Sequence, residues 1–138
     1  MEGVKFDWDE ILSFEGDTGP YIQYTHARAC SIIRKSKLKS IPKKFDTSLL
    51  KDAKEKAIIR KLVEFPETIN RAAGDCKPHY IANYVYSLAT LFNEFYQSIP
   101  VLKAKKGVRE SRLALVFAVK TVLKNGLELL GIEAPEEM

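Results

Sequence analysis

Apolar side chains recur at helical spacing in five segments of the chain, and short breaks separate these segments. The first helix is predicted over about 20–35, after the candidate N-cap residues Asp17 and Thr18. The second is predicted to follow a cap at 46–48 and to end before Pro66, where a short third helix begins. The fourth is predicted over about 78–98 and the fifth over about 108–130. The pattern therefore predicts an all-α helical bundle of about five helices.

The first predicted helix carries two different faces. Tyr21, Tyr24 and Arg28 follow one another at spacings of three and four, and Lys35 continues this face. The apolar face includes His26, which we expect to be a core histidine with satisfied hydrogen bonds. The alternative, a catalytic histidine, lacks partner residues in the sequence. One face is thus predicted to enter the core and the other to present rings and cations.

The fourth predicted helix is more aromatic than a core stripe requires. Its broad apolar face is accompanied by a second stripe at spacings of four and three, formed by Ala82, Tyr86, Ala89, Asn93 and Tyr96. Small alanines between rings and an amide would leave room for a flat partner, and stacked tyrosines with arginine hold unstacked RNA bases. Alternatively, the tyrosines pack between helices and their hydroxyls reach water.

Charge and composition narrow the class of partner. The 138 residues are 46% hydrophobic and 29% charged, with a net charge of +4. The stretch 34–44 contains no acid, and it is either a solvated loop or a contact to phosphates. The candidate phosphate-contacting residues are Arg34, Lys35, Lys37, Lys39, Lys43 and Lys44.

The location of the protein is predicted from what the chain lacks. It has no apolar run of membrane-spanning length and no signal-peptide pattern at the N-terminus. Cys30 and Cys76 are isolated in helical patterns, and we interpret them as reduced, small apolar residues. We therefore expect a cytoplasmic protein that does not bind membranes.

The sequence supplies little catalytic chemistry. Its two histidines, His26 and His79, have no neighbours at metal-ligand spacing, and neither a phosphate-binding P-loop nor a GxGxxG turn is present. We therefore predict no catalytic residue, no metal and no cofactor for this chain.

Several segments resemble a known family. The stretch FEGDTGPYIQYTHAR (14–28) is similar to the junction between the catalytic and anticodon-binding domains of arginyl-tRNA synthetase, in its archaeal and eukaryotic form. ANYVYSLA (82–89), FNEFY (92–96) and RLALV (112–116) resemble the C-terminal helical domain of that enzyme. The ending VLKNGLELLGIEAPEEM (122–138) is similar to its C-terminus.

The resemblance implies a DALR-type anticodon-binding bundle that recognises the anticodon stem-loop of arginine tRNA, with the middle base, usually cytidine, as a principal identity element. It implies an anticodon pocket lined by Tyr21, Tyr24, Arg28, Tyr96 and Met138. The stripe argument adds Tyr86 and Asn93 as weaker candidates. Partners would be arginine tRNA and the catalytic domain of the synthetase, and neither DNA nor a membrane is expected.

The chain departs from the family in lacking the nucleotide-binding sheet and the HIGH-type motif, so the parent enzyme's use of ATP and Mg²⁺ and its aminoacylation do not carry over. Residues 1–16 are interpreted as a remnant of the catalytic-domain junction and 17–138 as the helical domain, either excised or encoded separately. The alternative function is a protein-interaction module that docks through an apolar edge formed by Phe6, Trp8, Ile11, Leu12 and Phe14.

Overall fold

The computed structural model describes residues 18–138. This part of the chain contains five α-helices and one 3₁₀ turn at Thr47–Leu49, and it contains no strand. The helices are α1 (Gly19–Ser36), α2 (Ala53–Val63), α3 (Phe65–Asp75), α4 (His79–Ser98) and α5 (Val108–Leu129). The predicted all-α bundle of five helices is confirmed. The predicted junction at 1–16 and its apolar edge lie outside the described residues.

The ends of α1 combine a confirmed prediction with a wrong one. Pro20 lies in the first turn, where its missing N–H costs nothing. Thr18, however, has helical backbone angles, and its side chain makes no capping hydrogen bond. Asp17, the other cap candidate, lies outside the described residues. At the other end, Lys37 adopts a left-handed conformation with φ of 63° and terminates the helix.

The start of α2 lies later than predicted. Asp46 caps only the 3₁₀ turn, where its carboxylate accepts from the Ser48 N–H. Asp52 caps α2 instead: its carboxylate accepts from the Lys54 N–H at 2.8 Å, and the Glu55 carboxylate accepts from the Asp52 N–H at 3.2 Å. This reciprocal arrangement requires an acid or amide three residues after the cap, which Asp52 has and Asp46 lacks.

The core lies between α1, α4 and α5, with α2 and α3 covering α4. The predicted apolar face of α4 is buried in it, including Leu88, Phe92 and Phe95. Helices α4 and α5 are antiparallel and meet closely at Gly126. A Cβ built there would overlap Val85 Cγ1, so the two helices can approach this closely because residue 126 is glycine.

A buried ion pair links the loop before α5 to the bundle. The Arg112 Nε donates to the Glu55 carboxylate at 3.0 Å, and the Arg112 guanidinium also donates to the Pro100 carbonyl at 2.8 Å. Glu55 is fully buried, and Arg112 is its ion-pair partner. The pair therefore connects α2, α5 and the chain that leaves α4.

The two cysteines occupy different environments. Both are free thiols, but Cys30 is buried in α1 whereas Cys76 is exposed in a left-handed turn at the end of α3. The interpretation as an apolar, helical residue therefore holds for Cys30 and is wrong for Cys76.

Among the helices of residues 18–138, none combines the length and the apolar character that a membrane span requires.

Candidate nucleic-acid interface

Helices α1 and α4 lie side by side and run in the same direction. Near their starts, the rings of Tyr21 and Tyr86 are 5.5 Å apart and tilted by 52°. Two turns further along, Arg28 on α1 contacts Tyr96 on α4. The two aromatic stripes predicted from the sequence therefore meet at two places, Tyr21 with Tyr86 and Arg28 with Tyr96.

Arg28 lies between two tyrosine rings. Its Cζ is 4.5 Å from the ring centroid of Tyr96 and 5.2 Å from that of Tyr24, within the range of a cation–π interaction. Tyr96 and Tyr24 are 43% and 50% exposed, so both side chains are accessible to a ligand. A guanidinium between two half-exposed rings is a planar, cationic platform.

Asn93 lies beneath this platform. Its Oδ1 accepts from the Arg28 guanidinium at 2.7 Å, and its Nδ2 donates to the hydroxyls of Tyr21 and Thr25, both at 2.9 Å. Both amide protons are therefore engaged. The side chain fixes the guanidinium and the first ring of α1 in one hydrogen-bonded network.

The α4 stripe is not open along its length. Ala89 is fully buried and Asn93 is only 8% exposed, because α1 packs over them. The space expected there for a flat partner is therefore absent, and Tyr21 is half-buried for the same reason. Contacts of Tyr21, Tyr86 and Asn93 with RNA stay predictions.

A cavity of about 240 Å³ lies beside the platform. Six residues predicted from the sequence line it, namely Tyr24, Arg28, Arg34, Lys35, Tyr96 and Met138. Its volume is below the roughly 300–1,000 Å³ of most drug-sized ligand sites. The predicted Lys37, Lys39, Lys43 and Lys44 lie outside it and are exposed.

Three further lining residues, Ala27, Ser31 and Ile32, were not predicted. The sequence did carry a signal for the first two, because positions 24, 27, 28, 31 and 35 form a helical stripe at spacings of three and four. Small residues at 27 and 31 leave the floor of the cavity open between larger side chains.

The C-terminal tail reaches the cavity because α1 holds it. Gln23 Nε2 donates to the Glu133 carbonyl at 2.8 Å, and His26 Nδ1 donates to the Pro135 carbonyl at 2.9 Å. Arg34 donates to the Glu136 carbonyl at 3.1 Å. These bonds bring Met138, which is 65% exposed, to the rim of the cavity.

His26 is a buried histidine with a satisfied hydrogen bond, as predicted. Burial lowers its pKa, with a smaller contribution from the charges of Lys120 and Lys124. The neutral ring therefore donates from Nδ1 to the tail. Its role in positioning the tail was not predicted, since its partner is 109 residues away in the sequence. Burial likewise raises the pKa of the Cys30 thiol.

The arrangement offers stacking faces and cationic donors rather than reactive groups. In residues 18–138, no cluster of three or more histidine, cysteine or acidic side chains could hold a metal ion. Residues 18–138 thus form a helical bundle with a cavity that is lined by tyrosine and arginine side chains. The family comparison agrees: residues 22–138 match the family described as the DALR anticodon binding domain, and the chain belongs to that family.

The relatives described next are named arginine–tRNA ligase or arginyl-tRNA synthetase. The chain is 49% identical to the arginine–tRNA ligase of Thermococcus kodakarensis, over 98% of the chain and 22% of that protein. It is 47% identical to arginine–tRNA ligase 1 of Bacillus cereus, over 100% of the chain and 24% of that protein. The solved arginyl-tRNA synthetase of Thermus thermophilus superposes with a TM-score of 0.81 at 44% identity, over 96% of the chain and 23% of that structure.

The chain thus spans less than a quarter of the length of each of these relatives. The resemblance to the anticodon-binding domain of arginyl-tRNA synthetase, which the sequence indicated, is confirmed.

Proposed function

We propose that this chain binds the anticodon stem-loop of arginine tRNA, as the tRNA-recognising domain of an arginine–tRNA ligase. The observation that carries the proposal is the position of Arg28 between the half-exposed rings of Tyr24 and Tyr96, at the wall of a cavity of about 240 Å³. The names of the relatives support arginine tRNA as the RNA.

The platform suits an unstacked base. A base that enters the cavity would stack on a tyrosine ring, an interaction worth roughly 1–3 kcal/mol. Arg28 has five N–H donors, and the Asn93 amide oxygen occupies one of them. Guanidinium donors match the acceptors on the Watson–Crick edge of cytidine, so we propose the middle anticodon base as the ligand. Met138 would cover the base from the side of the tail.

Two variants test the platform. Arg28→Ala, or a chain that lacks Met138, is expected to bind an arginine tRNA anticodon stem-loop about 5–150-fold more weakly, which corresponds to the loss of roughly 1–3 kcal/mol. Fluorescence anisotropy with the labelled hairpin measures this affinity. Arg60→Ala, which removes an exposed arginine outside the cavity, is the matched control.

The same assay uses a second hairpin in which the middle base of the anticodon is changed. The wild-type chain should prefer the cytidine hairpin, and Arg28→Ala should lose most of that preference. Equal affinity of the wild-type chain for the two hairpins would refute specific recognition.

We also propose that aminoacylation requires the remainder of the synthetase, because the chain corresponds to 22–24% of its relatives. We expect ATP and Mg²⁺ to be bound by that remainder and not by this chain. An arginylation assay on the chain alone should show no product. We propose the cytoplasm, where translation occurs, as its location, and the catalytic part of the enzyme as a second partner.

A further inference from the structure

Two lysine-rich connections meet at one end of the bundle. The first follows α1, and the second precedes α5. Ser111, in the first turn of α5, accepts from the Asp46 N–H at 3.0 Å, and its Oγ is 2.9 Å from the Asp46 carbonyl. Leu49 packs beside Gly107, since a Cβ built on that glycine would lie 3.6 Å from Leu49 Cδ1. These contacts hold the two connections against each other.

Seven exposed lysines are concentrated there, and we call them the lysine end. They are Lys37, Lys39, Lys43, Lys44, Lys103, Lys105 and Lys106. Within residues 18–138 none of them forms an ion pair. The acids that follow the two lysine groups in the sequence are engaged locally, Asp46 with Ser48 and Glu110 with the Gly107 N–H. The end therefore carries a large excess of positive charge.

The lysine end continues from the cavity. Arg34 and Lys35 line the cavity and occupy the last turn of α1, immediately before Lys37. Arg28 and Ser36 are eight residues apart on this helix, a distance of about 12 Å, which is about the rise of three to four stacked nucleotides. The phosphates next to a base bound in the cavity would thus lie within reach of this end.

We propose that the lysine end binds the RNA backbone phosphates that flank the base in the cavity, with both connections contributing. This inference rests on the proposed function. The new element is the second connection, which carries Lys103, Lys105 and Lys106. It is far from the first connection in the sequence, and contacts of Ser111 and Leu49 hold the two together. Phosphate contacts from lysines position an RNA and carry no base preference.

The test is a triple variant of the full chain, Lys103→Gln, Lys105→Gln and Lys106→Gln. Its affinity for the arginine tRNA anticodon stem-loop is measured at salt concentrations from about 50 to 200 mM. Each lost phosphate contact to a single strand makes the negative slope of log K against log salt shallower by about 0.7, so the loss of three contacts should reduce its magnitude by about 2. The preference for cytidine at the middle position should not change.

The matched control removes the same charge elsewhere. Arg60→Gln, Arg71→Gln and Lys124→Gln replace three exposed cations that lie toward the other end of the bundle, where Arg71 stacks on Tyr80. Its slope should equal that of the wild-type chain. Thermal unfolding of both triple variants verifies that they fold, as expected for exposed positions.

Three outcomes are decisive. The role of the lysine end would be overturned if the variant at Lys103, Lys105 and Lys106 kept the salt slope of the wild-type chain, or if the control variant lost as much slope as it did. A preference for the cytidine hairpin would still support the proposed function in that case. If the wild-type chain showed no base preference, and only the lysine variant had a shallower salt slope, anticodon recognition would be refuted and the role of the lysine end supported. The absence of any RNA binding at about 50 mM salt would overturn both.

Discussion

Asn93 offers the sharpest test of how the platform is built. Its amide oxygen accepts from Arg28 at 2.7 Å, and its amide nitrogen donates to Tyr21 and Thr25 at 2.9 Å each. Asn93→Ala removes three hydrogen bonds at a buried position. The loss should lower the free energy of unfolding by about 1–3 kcal/mol, because the freed hydroxyls are partly shielded from water.

The effect on RNA is expected to pass through Arg28. Without its acceptor, the guanidinium keeps its contacts with the rings of Tyr24 and Tyr96, and exposed cation–π contacts contribute about 0.5–1 kcal/mol each. We expect affinity for the anticodon stem-loop to fall about tenfold, or roughly 1.4 kcal/mol. Anisotropy titrations well below the unfolding midpoint measure this, and Gln97→Ala, at an exposed position on α4, is the control.

A double-mutant cycle separates positioning from direct contact. If Asn93 acts by holding Arg28, Asn93→Ala should cost almost no affinity in a chain that already carries Arg28→Ala. If Asn93 itself contacts the base, the two losses should add. Additive losses, or a destabilised variant with wild-type affinity, would refute the positioning role.

Two further predictions concern the tail and the core. Because burial holds the pKa of His26 below its unfolded value of about 6.5, its stabilising contribution is complete above that pH and is lost as pH falls through the folded pKa. Between about pH 7 and pH 5, the wild-type chain should therefore lose more stability than the His26→Asn variant, as measured by thermal unfolding at each pH. The same loss of stability in both chains would contradict this role of His26. Gly126→Ala should destabilise the bundle by about 1–3 kcal/mol, since its Cβ would overlap Val85. A Cβ built on Gly74 would meet nothing within 4 Å, so Gly74→Ala should be neutral or stabilising by up to about 1 kcal/mol. Denaturant unfolding measures both free energies, and a Gly126→Ala chain more stable than the Gly74→Ala chain would contradict the packing argument.

The fold was largely predictable from local signals. The predicted end of α4 at Ser98 matches the structure, as Pro100 follows two residues later, and the apolar face of the helix was identified by its periodicity. The start of α2 was not predicted, because Asp46 and Asp52 both offer caps and only the side chain three residues later distinguishes them. Local rules therefore identified the helices better than their boundaries.

The residues of the site were easier to predict than the hydrogen bonds that position them. The rings and Arg28 were identified by spacing and by resemblance, and four of the seven predicted RNA-binding residues line the cavity. The burial of Asn93 and the tail bond of His26 could not be predicted from spacing, since their partners are 65 to 109 residues away. The role of each depends on how α1 packs, which no local pattern encodes.

The cavity walls come from three distant parts of the chain: α1, the last turns of α4 and the tail that ends at Met138. They meet only when the bundle is folded, so the unfolded chain has no such site. Any RNA that enters the cavity is thereby linked to folding by mass action. At a free RNA concentration 100 times Kd, the folded chain would gain about 2.7 kcal/mol over the unfolded chain, a large fraction of the stability of an ordinary domain. The RNA would thus act on this small bundle as a stabilising ligand that holds its helices and its tail together.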